Sequence, residues 1–197
     1  MKIYVGAGSD APTWSKNGWT CNDVAEAAAI YEGITLVGPC WQLAVEDNSI
    51  DEVLAKGMTE HLTYHGVAKS FAEWRRVLKP GGFFTCDVPD VEEYIREYLK
   101  MKAAPETITG EGGSFAEGEP DDEVVCDGID RWLRRALWGW QRWPGDEHRS
   151  GWTEPLLRHY LTKHFGPKFE IRRMAVSFDQ DVPVSRVRSL YARAWKE

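Results

Sequence analysis

The sequence predicts an α/β fold in which a mostly parallel sheet carries helices on both faces. Three observations predict it. Short β-branched or aromatic runs recur along the N-terminal half, helical periodicity falls between them, and a glycine turn directly follows the first run. Strands separated by helices pair in parallel through right-handed crossovers, and such sheets hold ligands beyond the carboxyl ends of their strands. At 197 residues, 43% hydrophobic and 28% charged, the chain suffices for one domain, 1–197, with a full core.

Lys2–Val5 is the first strand and ends in Gly6-Ala7-Gly8; residues 19–23 are the second and end in an acid. Ile34–Val37 is the third, closed by Gly38-Pro39. Asp47-Asn48-Ser49 has turn chemistry and leads into 50–55, apolar enough for a buried fourth strand. Apolar residues at 67, 68, 71, 74, 77 and 78 give residues 67–78 one helical face. Lys79-Pro80-Gly81-Gly82 is expected to stop that helix, because proline cannot continue it and glycine supplies the positive φ of a cap.

Residues 83–88 read as a fifth strand and 91–101 as a helix with an acidic first turn. Residues 103–127 then break the pattern: they are rich in glycine, proline and acids, without lysine or arginine, and form either a mobile lid or a disordered stretch. Helical spacing resumes over 129–140. A polar turn at 143–151 precedes a helix from about 153 to 164, and 169–178 and 187–195 are the last strand candidates.

The balance of 24 basic and 31 acidic side chains gives a net charge of −7, so counterion release from phosphates has no surplus of positive charge to drive it, and duplex nucleic acid is not the expected partner. The first residues lack the apolar core of a signal peptide, and no apolar run approaches the roughly 20 residues that span a bilayer. A cytoplasmic protein without membrane insertion is expected. Cys21, Cys40, Cys86 and Cys126 stand singly, so neither a zinc knuckle nor a redox dithiol is signalled. Of ten tryptophans, Trp132, Trp138, Trp140, Trp143 and Trp152 crowd the stretch entering the last third.

Gly6-Ala7-Gly8 lets backbone N–H groups approach a ligand closely, and Asp23 at the end of the next strand offers a carboxylate to both hydroxyls of a ribose. The third glycine of a dinucleotide fingerprint is missing, with Ala11 in its place, and no Walker lysine pattern occurs. A cofactor with a ribose and no phosphate fits this pattern, and S-adenosyl-L-methionine (SAM) is the common one.

Several segments together carry a family resemblance: V-G-A-G-S at 5–9, G-W-T-C-N-D at 18–23, L-A-V-E-D-N-S-I-D-E-V at 43–53, M-T-E-H-L at 58–62, W-R-R-V-L-K-P-G-G-F-F at 74–84, D-V-P-D at 87–90, and the tryptophan-rich run at 137–152 in which a histidine follows Pro-Gly-Asp. Over about residues 2–166 the chain resembles class I SAM-dependent methyltransferases, specifically small ones associated with polysaccharide and cell-surface glycan biosynthesis. The resemblance implies a Rossmann-like sheet, mostly parallel with an antiparallel strand near the C-terminus, and a glycan or other small-molecule acceptor. It departs from the family's usual pattern at Ala7, where cysteine is usual, in the short segment 9–18, and in Gly38-Pro39-Cys40-Trp41-Gln42, which lacks the usual acid for the adenine amine. Adenine recognition then falls to backbone amides, Gln42 or stacking by Trp41. Gly6, Ala7, Gly8, Asp23 and Val24 are expected to hold the methionine and ribose parts, and Gly57 to admit the methyl-bearing end. Cys40 is not expected to be a cytosine-attacking nucleophile, because it follows strand three rather than strand four.

A hydroxyl acceptor must lose its proton during methyl transfer. His148 is the first candidate base, oriented by Asp146 or Glu147, and His61 is the second, with Glu60 a candidate helix cap. The plainer accounts are a surface-turn histidine and a helix-start residue packed under the sheet. Trp138, Gln141, Arg142 and His148 are expected to line the acceptor site, within an aromatic floor rimmed by Arg131, Arg134, Arg135, Arg142 and Arg149. Two other functions stay open at this stage: a non-catalytic interaction protein that keeps the fold, and a tryptophan-lined carbohydrate-binding module. No metal is expected.

Overall fold

The computed structural model describes residues 1–103, 133–134, 136–139, 145–175 and 188–197. Strands β1 (Lys2–Val5), β2 (Thr20–Asp23), β3 (Ile34–Val37), β4 (Ile50–Lys56), β5 (Leu78–Pro89), β6 (Phe169–Ala175) and β7 (Arg188–Trp195) form one sheet in the order β3-β2-β1-β4-β5-β7-β6. The first five are parallel to one another, and β7 is antiparallel to both β5 and β6. This is the mostly parallel sheet that was expected, with its one reversed strand near the C-terminus. The chain runs outward from β1 to β3 and then returns to β4, so the strand order reverses between β1 and β4 and opens a crevice at their carboxyl ends.

Helices α1 (Ala11–Lys16), α2 (Ala25–Ala28), α3 (Tyr64–Val77), α4 (Val91–Ala103) and α5 (Glu154–Phe165) connect the strands, and described residues in 133–138 are also helical. The short α1 matches the abbreviation read at 9–18. In α3 the buried stripe is Val67, Ser70, Phe71, Trp74 and Val77, the i, i+3, i+4 set of one helical face. Its N-cap is Thr63, whose hydroxyl accepts the Gly66 N–H at 3.1 Å, so the capping role expected of Glu60 belongs to Thr63.

The stop after α3 also differs from expectation. The helix ends at Val77, and Leu78 is already extended as the first residue of β5. Ile50 pairs with Leu78 and Glu52 with Phe83, which leaves residues 79–82 opposite Asp51 alone. Lys79-Pro80-Gly81-Gly82 is therefore a bulge in the strand. Gly81 takes a φ of +80° there, and a Cβ on Gly82 would stand 3.0 Å from the Asp51 carbonyl oxygen.

The main core is aromatic. Trp74 stacks on Phe84 with ring centroids 4.8 Å apart, Phe84 stacks on Phe165 at 5.5 Å, and Phe71 and Trp152 complete the group. Ile3 and Val5 face this cluster, whereas Tyr4 faces a smaller one with Ala11 and Cys21, flanked by Trp14 and Trp19. Alternation along one strand thus packs both faces of the sheet. The C-terminal hairpin is fastened by Arg173, whose Nε donates to the wholly buried Asp90 carboxylate at 2.8 Å, and by Lys196, whose ammonium donates to the Arg75 and Leu78 carbonyls at 2.7 Å each. Among the described residues no helix is long and apolar enough to cross a membrane.

Candidate functional site

The crevice between β1 and β4 begins at the glycine turn. Gly6 and Gly8 have φ of +65° and +43°, a left-handed backbone that glycine adopts without strain. The Gly8 N–H donates to Asp23 Oδ2 at 2.9 Å, the Val24 N–H to Asp23 Oδ1 at 2.8 Å, and the Ala7 N–H to the Asn22 carbonyl at 3.2 Å. The carboxylate at the end of β2 therefore lies against the bend after β1. The two glycines serve different ends. A Cβ on Gly6 would lie 2.8 Å from Met58 Cβ, so Gly6 is required by the packing of the protein on itself rather than by ligand approach, whereas a Cβ on Gly8 would meet nothing within 4 Å.

Gly57, after β4, has a φ of +58°, likewise faces open space, and donates its N–H to Asp87 Oδ1 at 2.6 Å. The Asp87 carboxyl, raised in pKa chiefly by burial, joins the ends of β4 and β5, a role that sequence reading did not assign. An open main-chain cradle beside a half-exposed carboxylate fits the methionine and ribose parts of SAM, which carries no phosphate to be neutralised.

The loop after β3 forms the next wall. Asn22 Nδ2 donates to the Leu36 and Gly38 carbonyls at 2.8 and 2.9 Å, and Gly38 N–H donates to the Asp23 carbonyl at 2.9 Å, so this loop is tied to the same carboxylate-bearing strand end. Trp41 is 40% exposed and Gln42 is exposed, while Cys40 between them and Pro39 is buried. The Cys40 carbonyl accepts from Trp74 Nε1 at 3.0 Å, and burial pushes its thiol up to about 11. A thiol so placed is a packing group, in keeping with its exclusion as a nucleophile. Peptide-level mass spectrometry is expected to show iodoacetamide modifying Cys40 at pH 8 at least about tenfold more slowly in the native chain than in urea.

The third wall is built from two distant segments. Residues Thr59–His61 form a single 3-10 turn after β4, and the Glu60 carbonyl accepts from the Arg149 and Ser150 N–H groups at 2.7 and 3.0 Å. Ser150 Oγ donates to the Thr59 carbonyl at 3.2 Å. These bonds bring the His61 and His148 rings edge to face, with centroids 5.1 Å apart. The Glu60 side chain lies beside them with only 5% of the residue exposed, and its Oε2 has no hydrogen-bond partner among the described residues. Burial, with the nearby Asp87 charge, pushes its carboxyl up to about 8.

Burial likewise lowers His61, and burial together with the neighbouring His61 pushes His148 down to about 4, so both imidazoles are neutral at pH 7. The expected orienting role of Glu147 fails: its carboxylate pairs with Arg149, and its carbonyl is the group 3.2 Å from His61 Nδ1. That pairing also withdraws Arg149 from the expected cationic rim.

Trp138 is 52% exposed, and its carbonyl accepts the His148 N–H at 3.0 Å, which ties the two segments through their backbones. Gln141 and Arg142, with Arg131, Trp132, Arg135, Trp140 and Trp143, lie outside the described residues, as does the acidic stretch 104–127.

Comparison with known proteins agrees with this fold. A family model described as a methyltransferase domain matches residues 14–86, from α1 through most of β5. The fold is similar to that of a Thermotoga maritima SAM-dependent methyltransferase, a possible histamine N-methyltransferase, at a TM-score of 0.61 and 14% identity over 100% of this chain and 82% of the other. A Methanosarcina mazei SAM-dependent methyltransferase gives 0.55 and 18%, covering 99% and 91%. The Burkholderia thailandensis 1,6-didemethyltoxoflavin-N1-methyltransferase, solved with 1,6-didemethyltoxoflavin and S-adenosylhomocysteine bound, gives 0.51 and 16%, covering 99% and 70%. No curated protein matches the sequence.

Proposed function

We propose that the chain is a SAM-dependent methyltransferase of the class I fold and that it methylates oxygen on a small hydroxylated acceptor, a saccharide or a comparable metabolite. The observation that carries this reading is the meeting of His61 and His148 at the exit of β4, with their rings edge to face 5.1 Å apart. In this reading the Gly6, Ala7 and Gly8 backbone receives the methionine part, and Asp23 with Val24 the ribose. Trp41 and Gln42 border the adenine, and Gly57 leaves room for the methyl-bearing end. When bound, SAM supplies an electrophilic methyl group on a sulfonium sulfur.

The residues of the chain then have three tasks: to align the acceptor oxygen with that methyl, to exclude water, and to let the hydroxyl proton go. The acceptor hydroxyl gives up its proton at the imidazole pair, where both rings carry a lone pair at neutral pH. The exposed Trp138 indole is the kind of flat apolar surface on which a sugar ring rests. In this reading the enzyme is cytoplasmic, and its net charge of −7 argues against duplex nucleic acid as the acceptor.

Incubating the protein with a metabolite and oligosaccharide extract and SAM labelled in its methyl group is expected to place label on hydroxyl oxygens of a small product, read by mass spectrometry and fragmentation. Label found only on nitrogen, or only in nucleic acid, would remove this acceptor assignment.

A further inference from the structure

We infer that Glu60, His61 and His148 form a binding site for a divalent transition-metal ion of zinc-like chemistry, and that the acceptor hydroxyl supplies a further ligand to it. The second half rests on the function proposed above; the first stands on the residues alone. One ligand atom from each of the three side chains lies within 4.8 Å of the other two. Donors around a tetrahedral zinc ion stand about 3.4 Å apart, so the three atoms are a short side-chain adjustment from closing on a common centre.

Three features make this more than a cluster. Glu60 is buried with Oε2 unpartnered, and a buried carboxyl oxygen left without a partner is costly unless a proton or a cation comes to it. The His61 Nδ1 partner is the Glu147 carbonyl, which can only accept, so Nδ1 carries the proton and Nε2 keeps the lone pair. A backbone carbonyl on the outer ring nitrogen is the usual way a metal-binding imidazole is oriented. The two segments are also pinned by backbone hydrogen bonds on either side of the cluster, from Arg149 and Ser150 N–H to the Glu60 carbonyl and from His148 N–H to the Trp138 carbonyl.

Two imidazoles and one carboxylate are a ligand set for borderline divalent ions and leave coordination positions open, as catalytic rather than purely structural sites do. A hydroxyl bound at an open position becomes more acidic. Its proton passes to water, the O–C bond forms on the methyl carbon, and the C–S bond breaks with its electron pair left on sulfur, giving the methyl ether and S-adenosylhomocysteine. With the ion bound, the imidazoles are its ligands and not proton acceptors, so this route replaces the direct proton transfer to the rings that serves the metal-free chain.

The test uses the full chain stripped with chelator and desalted. Zinc titrated against a chromophoric competitor is expected to bind one ion per chain, and cobalt to give visible d–d absorption of a site with nitrogen and oxygen donors. His61→Ala, His148→Ala and Glu60→Gln, each checked for folding by circular dichroism, are expected to weaken zinc binding at least about tenfold, and His159→Ala on the exposed face of α5 to leave it unchanged. The cobalt spectrum of the unaltered chain stands even if a variant fails to fold. No stoichiometric binding of either ion by the folded chain, or binding that all three site variants leave intact, overturns the inference. Calorimetry with S-adenosylhomocysteine on the metal-free chain separates it from the function above. Cofactor heat without zinc binding removes the metal and leaves the methyltransferase reading, whereas zinc binding without cofactor heat keeps the ion site and removes its part in methyl transfer.

Discussion

Asp23→Ala is expected to weaken SAM and S-adenosylhomocysteine binding about 1,000-fold while the protein stays folded. The magnitude follows from what the carboxylate would hold: two ribose hydroxyls, each through a hydrogen bond to a charged acceptor worth about 2 kcal/mol, hence about 4 kcal/mol together. Part of the loss arises within the protein, because Gly8 N–H and Val24 N–H both lose their acceptor and the bend after β1 loosens before any ligand arrives. Asp23→Asn separates the two contributions. Its amide oxygen still accepts one N–H, but the charge is gone, and an intermediate loss of roughly 10- to 100-fold is expected. Titration calorimetry on the three proteins reads the series directly. A folded alanine variant with native affinity would mean that the ribose lies elsewhere, and the assignment of Gly6, Ala7, Gly8 and Val24 would fall with it.

The series is possible because this corner of the molecule could be read from local signals. A strand, a glycine turn, a second strand and a terminal acid each announce themselves within a few residues, and parallel pairing then forces β1 and β2 side by side. The same holds for β1 to β4, whose placement matches expectation to within a residue, whereas β5 begins five residues before its expected start at 83. What could not be read depends on partners far along the chain.

Whether Lys79-Pro80-Gly81-Gly82 caps a helix or bulges a strand is decided by how β4 pairs beside it, since proline and glycine suit both. The burial of Glu60 is set by a segment about 90 residues later folding over it, so the sequence suggested a surface cap where there is an enclosed acid. His61 and His148 could each be picked out as titratable, but not their meeting, because neither carries a local mark of the other. Gly6 shows a subtler limit. Its glycine was foreseeable from the turn, but the neighbour that forbids a side chain is Met58, which arrives from the exit of β4.

That dependence on distant packing gives Trp74→Ala the largest expected effect on stability, a loss of about 4 kcal/mol in unfolding free energy, read as a lower denaturant midpoint at unchanged slope. Trp74 is wholly buried, stacks on Phe84, and is the point where α3 meets the sheet. Its indole N–H also holds the Cys40 carbonyl, so the residue couples the core to the loop bearing Trp41 and Gln42. Trp74→Phe divides these roles. The ring keeps most of the apolar contact, while a buried carbonyl is left without its donor, at a cost of about 1–2 kcal/mol. If the loop's position matters for adenine, this variant binds S-adenosylhomocysteine several-fold more weakly at temperatures where it is fully folded. Native affinity in folded Trp74→Phe would show instead that the wall after β3 is held by its remaining bonds, from Asn22 Nδ2 to Gly38 and from Leu43 N–H to Glu73, and that the tryptophan serves the core alone.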